Sequence, residues 1–145
     1  MKFFHLSDLH IGLKLMNRDL RGDQEYILSE VVEAAAQEKP DAIVIAGDIY
    51  DKAVPSAEAV EIFDRFLGEL TEAVPSAVIM MISGNHDSAP RVNCFRNVLS
   101  RQKVYMIGQP PRTKAEYIEK VVLHDTYGNV NFYLLPFVKP SMVKQ

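Results

Sequence analysis

Short unbroken apolar runs alternate along this chain with longer stretches whose apolar residues recur every three or four positions. Lys2–Leu6 is the first run and reads as a strand. Asp19–Glu38 reads as a helix: Leu20, Ile27, Leu28, Val31, Val32 and Ala35 fall at helical spacing, with Glu25, Glu30, Glu33 and Glu38 on the other side. Pro40 ends it. Ala42–Ala46 has no polar position, as expected of a strand buried on both faces. Pro55-Ser56 opens a second helix, with Ser56 as N-cap, Glu58 in the first turn, and Val60, Phe63, Leu67 and Leu70 as its stripe. Pro75 closes that connection. Ala77–Ile82 is another buried strand, in which Met80 and Met81 read as core. Ala89-Pro90 begins a third helix reaching about Ser100, and Val104–Ile107 is a short strand.

The order is strand, helix, strand, helix, strand, helix, strand. It predicts an α/β fold, a mainly parallel sheet with helices on both faces. Beyond the linking loop Gln109–Arg112 the pattern changes. Tyr117–His124 and Val130–Leu135 are strand-like runs around Asp125-Thr126-Tyr127-Gly128-Asn129, an antiparallel hairpin with a glycine-containing turn.

Length and composition change this picture little. The 145 residues fit one domain, with 48% hydrophobic and 24% charged positions and no internal repeat. The single cysteine, Cys94, reads as a core residue of a chain in a reducing, cytoplasmic setting. The start MKFFHLSDLHIG has no signal-peptide core, and no apolar run is long enough to span a membrane. A net charge of −3 argues against gripping nucleic acid by charge alone. It leaves room for an enzyme on nucleic acid, because bound divalent cations reverse the sign of an acidic site.

The candidate chemistry follows three strands. Asp8-Leu9-His10, Gly47-Asp48-Ile49-Tyr50-Asp51 and Gly84-Asn85-His86-Asp87 each come directly after one. Parallel strands bring such distant positions to one carboxyl edge, where ligands collect in open α/β sheets. Asp8, His10, Asp48 and Asn85 offer oxygen and imidazole nitrogen, a donor set for Mn²⁺, Fe²⁺ or Zn²⁺. Asp48, on the middle strand, is placed to bridge two cations, which together clamp a phosphate and activate water. His86 is a candidate general acid. Asp51 and Asp87 are candidates to orient imidazoles, with helix capping or turn formation as the alternative. His5 reads as a core or hydrogen-bonded histidine and His124 as a hairpin side chain. Lys14, Arg18, Arg21 and Lys52 would meet DNA phosphates or form a solvated surface, and the same alternatives hold for Arg91, Arg96, Arg101 and Lys103.

These three motifs in this order resemble the calcineurin-like metallophosphoesterase superfamily. The stretches MKFFHLSDLHIG, AGDIYDKAVPS, SGNHDSAPR and LLPFVKPSMV look like its branch of SbcD-type DNA-repair nucleases. The resemblance runs over essentially the whole chain. It implies that Asp8 and His10 bind a first metal, that Asp48 bridges, and that Asn85 binds a second, with Mn²⁺ the expected ion. It implies that His86 stabilises the transition state or donates a proton, with Asp51 as its partner. It implies DNA as substrate, an SbcC-like ATPase as partner, and a homodimer formed by the helices carrying Phe63, Phe66 and Leu67, and Phe95, Val98 and Leu99, although most of these apolar residues read as core.

The pattern also departs from the family. A later His and a Gly-His-x-His motif would complete both metal shells, and the chain holds only His5, His10, His86 and His124. Residues 1–145 therefore read as the N-terminal portion of a nuclease domain, a truncated family sandwich cut at Gln145, without the later motifs or a capping domain. Partial or no metal occupancy is expected, because Asp48 and Asn85 alone are too few ligands for a second ion. Other readings are a phosphoesterase on nucleotides or phosphoproteins, and a non-catalytic dimerising fragment.

Overall fold

The computed structural model describes residues 1–94 and 96–143. Phe95, read from the sequence as part of an apolar helix face, lies outside the described residues, as does Gln145.

The chain opens with β1 (Phe3–Leu6), followed by a small antiparallel ribbon of β2 (Lys14–Leu15) and β3 (Arg18–Asp19). Hydrophobic periodicity does not announce this ribbon. Its turn uses Met16 and Asn17 at φ 47° and 64°, the positive-φ pair of a tight hairpin turn. The ribbon also shortens the expected helix: α1 covers Arg21–Glu38, and the Asp19 carboxylate accepts from the Arg21 N–H at 3.0 Å. Then come β4 (Ala42–Ala46), α2 (Ala57–Ala73) and β5 (Val78–Ile82). Ser56 caps α2 as expected, its hydroxyl accepting from the Ala59 N–H at 3.3 Å.

The expected third helix is broken into α3 (Ala89–Val92) and α4 (Arg96–Leu99), with a 3₁₀ turn at Ser100–Gln102. Asn93 ends α3 and turns its amide oxygen to the Gly108 N–H at 3.3 Å. β6 (Val104–Ile107), the hairpin strands β7 (Glu119–Asp125) and β8 (Gly128–Leu134), and a last helical turn α5 (Pro140–Val143) complete the chain.

The four-stranded sheet runs β1-β4-β5-β6, all parallel, with Ile43 level with Phe4 and Ile79. This monotonic order corrects the expectation of helices on both faces. Right-handed crossovers repeated in one direction return every helix to the same side. Phe4, Leu6, Ile43, Ile45, Ile79, Met81, Val104 and Met106 share a core with Leu28, Ala35, Phe63, Phe66 and Leu70 from the helices. Each large side chain buried there contributes roughly 1.5–3 kcal/mol.

The other face carries Ala42, Val78, Met80 and Ile107, and it is covered by Val121 and Leu134 of the hairpin, with Leu123 and Phe132 alongside. Phe3 meets Phe132 edge-on at 5.7 Å. His5 is exposed rather than core, because β1 is an edge strand. Cys94 is exposed as well, against expectation. Ile27 lies off the buried stripe of α1, which centres on Leu28 and Ala35. Among the described residues no helix is long and apolar enough to cross a membrane.

Candidate metal centre

The loops leaving β1 and β4 run side by side, stitched by their own main chains. The N–H groups of Asp8, His10 and Ile11 donate to the carbonyls of Gly47, Asp48 and Ile49 at 3.1, 2.9 and 3.0 Å. Asp51 N–H returns the bond to Ile11 at 3.2 Å. Parallel pairing thus continues past the strand ends, and it sets Asp8 and His10 beside Asp48 and Asp51. The geometry has a conformational cost: Asp8, His10 and Asp48 sit at φ 56°, 43° and 50°, a left-handed region that non-glycine residues avoid.

The third loop, after β5, is tied in by two carboxylates. Asp87 is buried, and its carboxylate accepts from the N–H groups of Ile49, Tyr50 and Gly84 at 3.1, 3.0 and 2.9 Å. Asp48 Oδ1 accepts from the His86 N–H at 2.9 Å. Gly84 is required for this approach: a Cβ there would stand 2.0 Å from Asp48 Oδ1 and 2.4 Å from Asp48 N.

Asp87 follows the turn-forming alternative rather than the imidazole-orienting one. It orients main chain, not an imidazole, because three N–H donors occupy its oxygens. Sequence reasoning missed Gln24. From α1 its carboxamide holds the first loop at three points, accepting from Gly12 N–H at 3.0 Å and donating to the carbonyls of Leu9 and His10 at 3.2 and 2.8 Å. Its signal was position: Gln24 precedes buried Leu28 by one helical turn, on the face where a polar residue needs partners.

His10, Asp48 and His86 present ligand atoms all within 4.8 Å of one another. His10 Nε2 lies 3.8 Å from Asp8 Oδ1 and 3.9 Å from Asp48 Oδ2. These gaps are too long for hydrogen bonds. They suit atoms that share a cation, since two ligands each about 2.1 Å from one ion stand roughly 3–4 Å apart. The nitrogen and carboxylate donors fit a borderline divalent ion. The rings of His10 and His86 meet edge-on at 4.8 Å. Asn85 is exposed on the third loop, directly before His86.

His86 Nδ1 lies 2.9 Å from the main-chain carbonyl of Asp51. A carbonyl only accepts, so Nδ1 carries the proton. That bond, followed by the carboxylates of Asp48, Asp51 and Asp87, raises the imidazole above its ordinary range despite partial desolvation. The partnership expected between Asp51 and His86 thus runs through the Asp51 backbone. The Asp51 carboxylate instead points toward His10, 3.7 Å from Nδ1.

A cleft of about 350 Å³ opens beside Asp51, with Lys14, Arg21 and Lys52 in its wall and Asp19 and Glu58 among them. Arg21 is already paired with Asp19 at 2.7 Å. Arg96 is likewise paired, with Glu119 at 2.9 Å. A separate apolar groove of about 600 Å³ runs between α2 and α4, lined by Val60, Phe63, Leu67, Val98 and Leu99.

The chain is similar to the SbcD component of the nuclease SbcCD from Staphylococcus saprophyticus, 37% identical over 137 residues. The match covers 94% of this chain and 34% of that protein, so the chain spans about a third of the length of this curated relative. The calcineurin-like phosphoesterase family matches residues 1–139, all three strand-end loops included, and the chain belongs to that family.

Proposed function

We propose that this chain is the ligand-bearing N-terminal part of a metal-dependent DNA nuclease. In this reading the whole protein hydrolyses phosphodiester bonds in cytoplasmic DNA repair and recombination, together with an SbcC-like ATPase. The observation that carries it is the meeting of Asp8, His10, Asp48 and His86 at one sheet edge. The similarity to a nuclease component supports DNA over nucleotides or phosphoproteins.

Asp8, His10, Asp48 and Asn85 would hold divalent cations, with Mn²⁺ the first choice. Such ions would polarise a phosphate oxygen and lower the pKa of water. His86 would give its proton to the leaving oxygen. The Asp51 carbonyl holds Nδ1–H, so Nε2 would be the nitrogen that carries the proton to be given. Asp87 and Gln24 would hold the three loops still while charge develops. The apolar groove between α2 and α4 would be the homodimer face, and sedimentation of the chain tests that.

Ligand counting sets the strength of binding. His10, Asp8 and Asp48 would hold one ion, while a second would lack ligands. Calorimetry is expected to find weak or single-site Mn²⁺ binding in this chain, and two tight sites would refute that count. A longer chain carrying the later histidine motifs is expected to cut duplex DNA with Mn²⁺, ahead of small nucleotides and bis-p-nitrophenyl phosphate. Asp48→Asn should abolish the activity. No DNA cleavage by that longer chain, with ions bound, would sink the reading.

A further inference from the structure

Among the described residues, Asp51 reaches both imidazoles of the cluster, and with different atoms. Its carbonyl accepts from His86 Nδ1 at 2.9 Å. Its carboxylate oxygen Oδ1 lies 3.7 Å from His10 Nδ1. That nitrogen is buried and, among the described residues, has no hydrogen-bond partner. A buried ring nitrogen left unmet is costly, and a carboxylate just outside bonding range is the group that would satisfy it.

We propose that Asp51 fixes the ring proton of both histidines on Nδ1, acting on His86 through its main chain and on His10 through its side chain. This rests on reading the cluster as a cation site. The two main chains are already tied at this point, the Asp51 N–H being bonded to the Ile11 carbonyl, one residue beyond His10, and the carboxylate stands just outside hydrogen-bond range of Nδ1. An ionised carboxylate only accepts, so it selects the tautomer with Nδ1–H and leaves Nε2 bare. Nε2 is the nitrogen flanked by Asp8 and Asp48. A cation drawing on Nε2 makes Nδ1–H a stronger donor, so cation binding and the Asp51 contact reinforce each other. Asp51 is thus a positioning residue, acting through the rings it holds.

The test begins in the cation-free chain, above the pH at which imidazoles are protonated. Nitrogen-15 NMR of the histidine rings is expected to find the proton on Nδ1 in both His10 and His86. A wild-type His10 carrying it on Nε2 would overturn the proposal without any variant. In Asp51→Asn the amide N–H₂ can turn to Nδ1 and favour the other tautomer. His10 is then expected to move toward Nε2–H while His86, held by a main-chain carbonyl, keeps its pattern. An unchanged His10, or a His86 that moves with it, counts against the division of roles.

Calorimetry on the same variant is expected to show Mn²⁺ affinity lower by about 10–100-fold. Equal affinity in a variant whose His10 proton has moved would break the link to the cation. A wild-type chain that bound no cation would defeat the metal-centre reading instead, and the ring-proton assignments would still decide the role of Asp51.

Discussion

The loops at the sheet edge and the C-terminal hairpin are held by different means. The loops anchor Ile11 and Ile49 in the main core, but the polar residues between those anchors are placed otherwise. Directional bonds fix them: main chain to main chain between Asp8–Ile11 and Gly47–Asp51, and side chain to main chain from Asp87 and Gln24. The hairpin satisfies its own backbone in one ladder, and it meets the sheet through a small apolar cluster around Val121 and Leu134. Its other face leaves Val122 and Tyr133 exposed. Bonds with direction place atoms to within tenths of an ångström, whereas apolar area fixes a surface but tolerates sliding. Chemistry therefore sits where the first kind of bonding dominates.

The contrast between the two regions breaks most visibly at Asp87. Asp87→Ala strands three donors that lose an ionised acceptor at about 1–3 kcal/mol each, so a loss of roughly 3 kcal/mol or more is expected. Thermal unfolding would measure it, and cation binding should vanish with it. Leu134→Ala attacks the hairpin instead. A loss of about 2–3 kcal/mol is expected for a buried leucine, with cation affinity unchanged. If calorimetry showed the affinity falling in step, the two regions would not be separable.

Gln24→Ala sharpens the contrast at smaller scale. About 1–2 kcal/mol of stability should go, while cation affinity should fall more than in Leu134→Ala, because Gln24 holds the His10 carbonyl. The least effect is expected from pH at Tyr50. Burial, with Asp87 and Asp64 nearby, pushes its phenol up to about 12, and its ring packs on Phe63 at 5.6 Å. The folded chain keeps a proton that the unfolded chain releases near its ordinary value of 10. This contribution is complete below pH 10 and declines until about pH 12, by roughly 1 kcal/mol after allowing for solvent screening. Denaturant titrations of wild type and Tyr50→Phe across that window should differ in slope.

Much of this was legible in the residues themselves. Ala42–Ala46 and Val104–Ile107 are the strands their apolar runs announce, and Ser56 caps the helix it precedes. Asp8, His10 and Asp48 fall at strand ends because parallel topology leaves them nowhere else. What stayed hidden needed strand order or atom-level direction. Helices on one face follow from the sequential order of the strands, which periodicity does not encode. The break near Asn93 depends on a partner at Gly108, distant in sequence. Asp51 was expected as a partner of His86, but which ring its carboxylate faces is a matter of rotamer.

The left-handed backbone at Asp8, His10 and Asp48 carries a further consequence, one for selection. Each such residue gives up about 1–2 kcal/mol relative to a relaxed conformation. Glycine at Asp8 would recover part of that and make the fold sturdier, while removing a carboxylate from beside His10. Robustness and usefulness pull in opposite directions at these positions. A search for hardier variants that scored melting temperature alone would drift toward erasing the site.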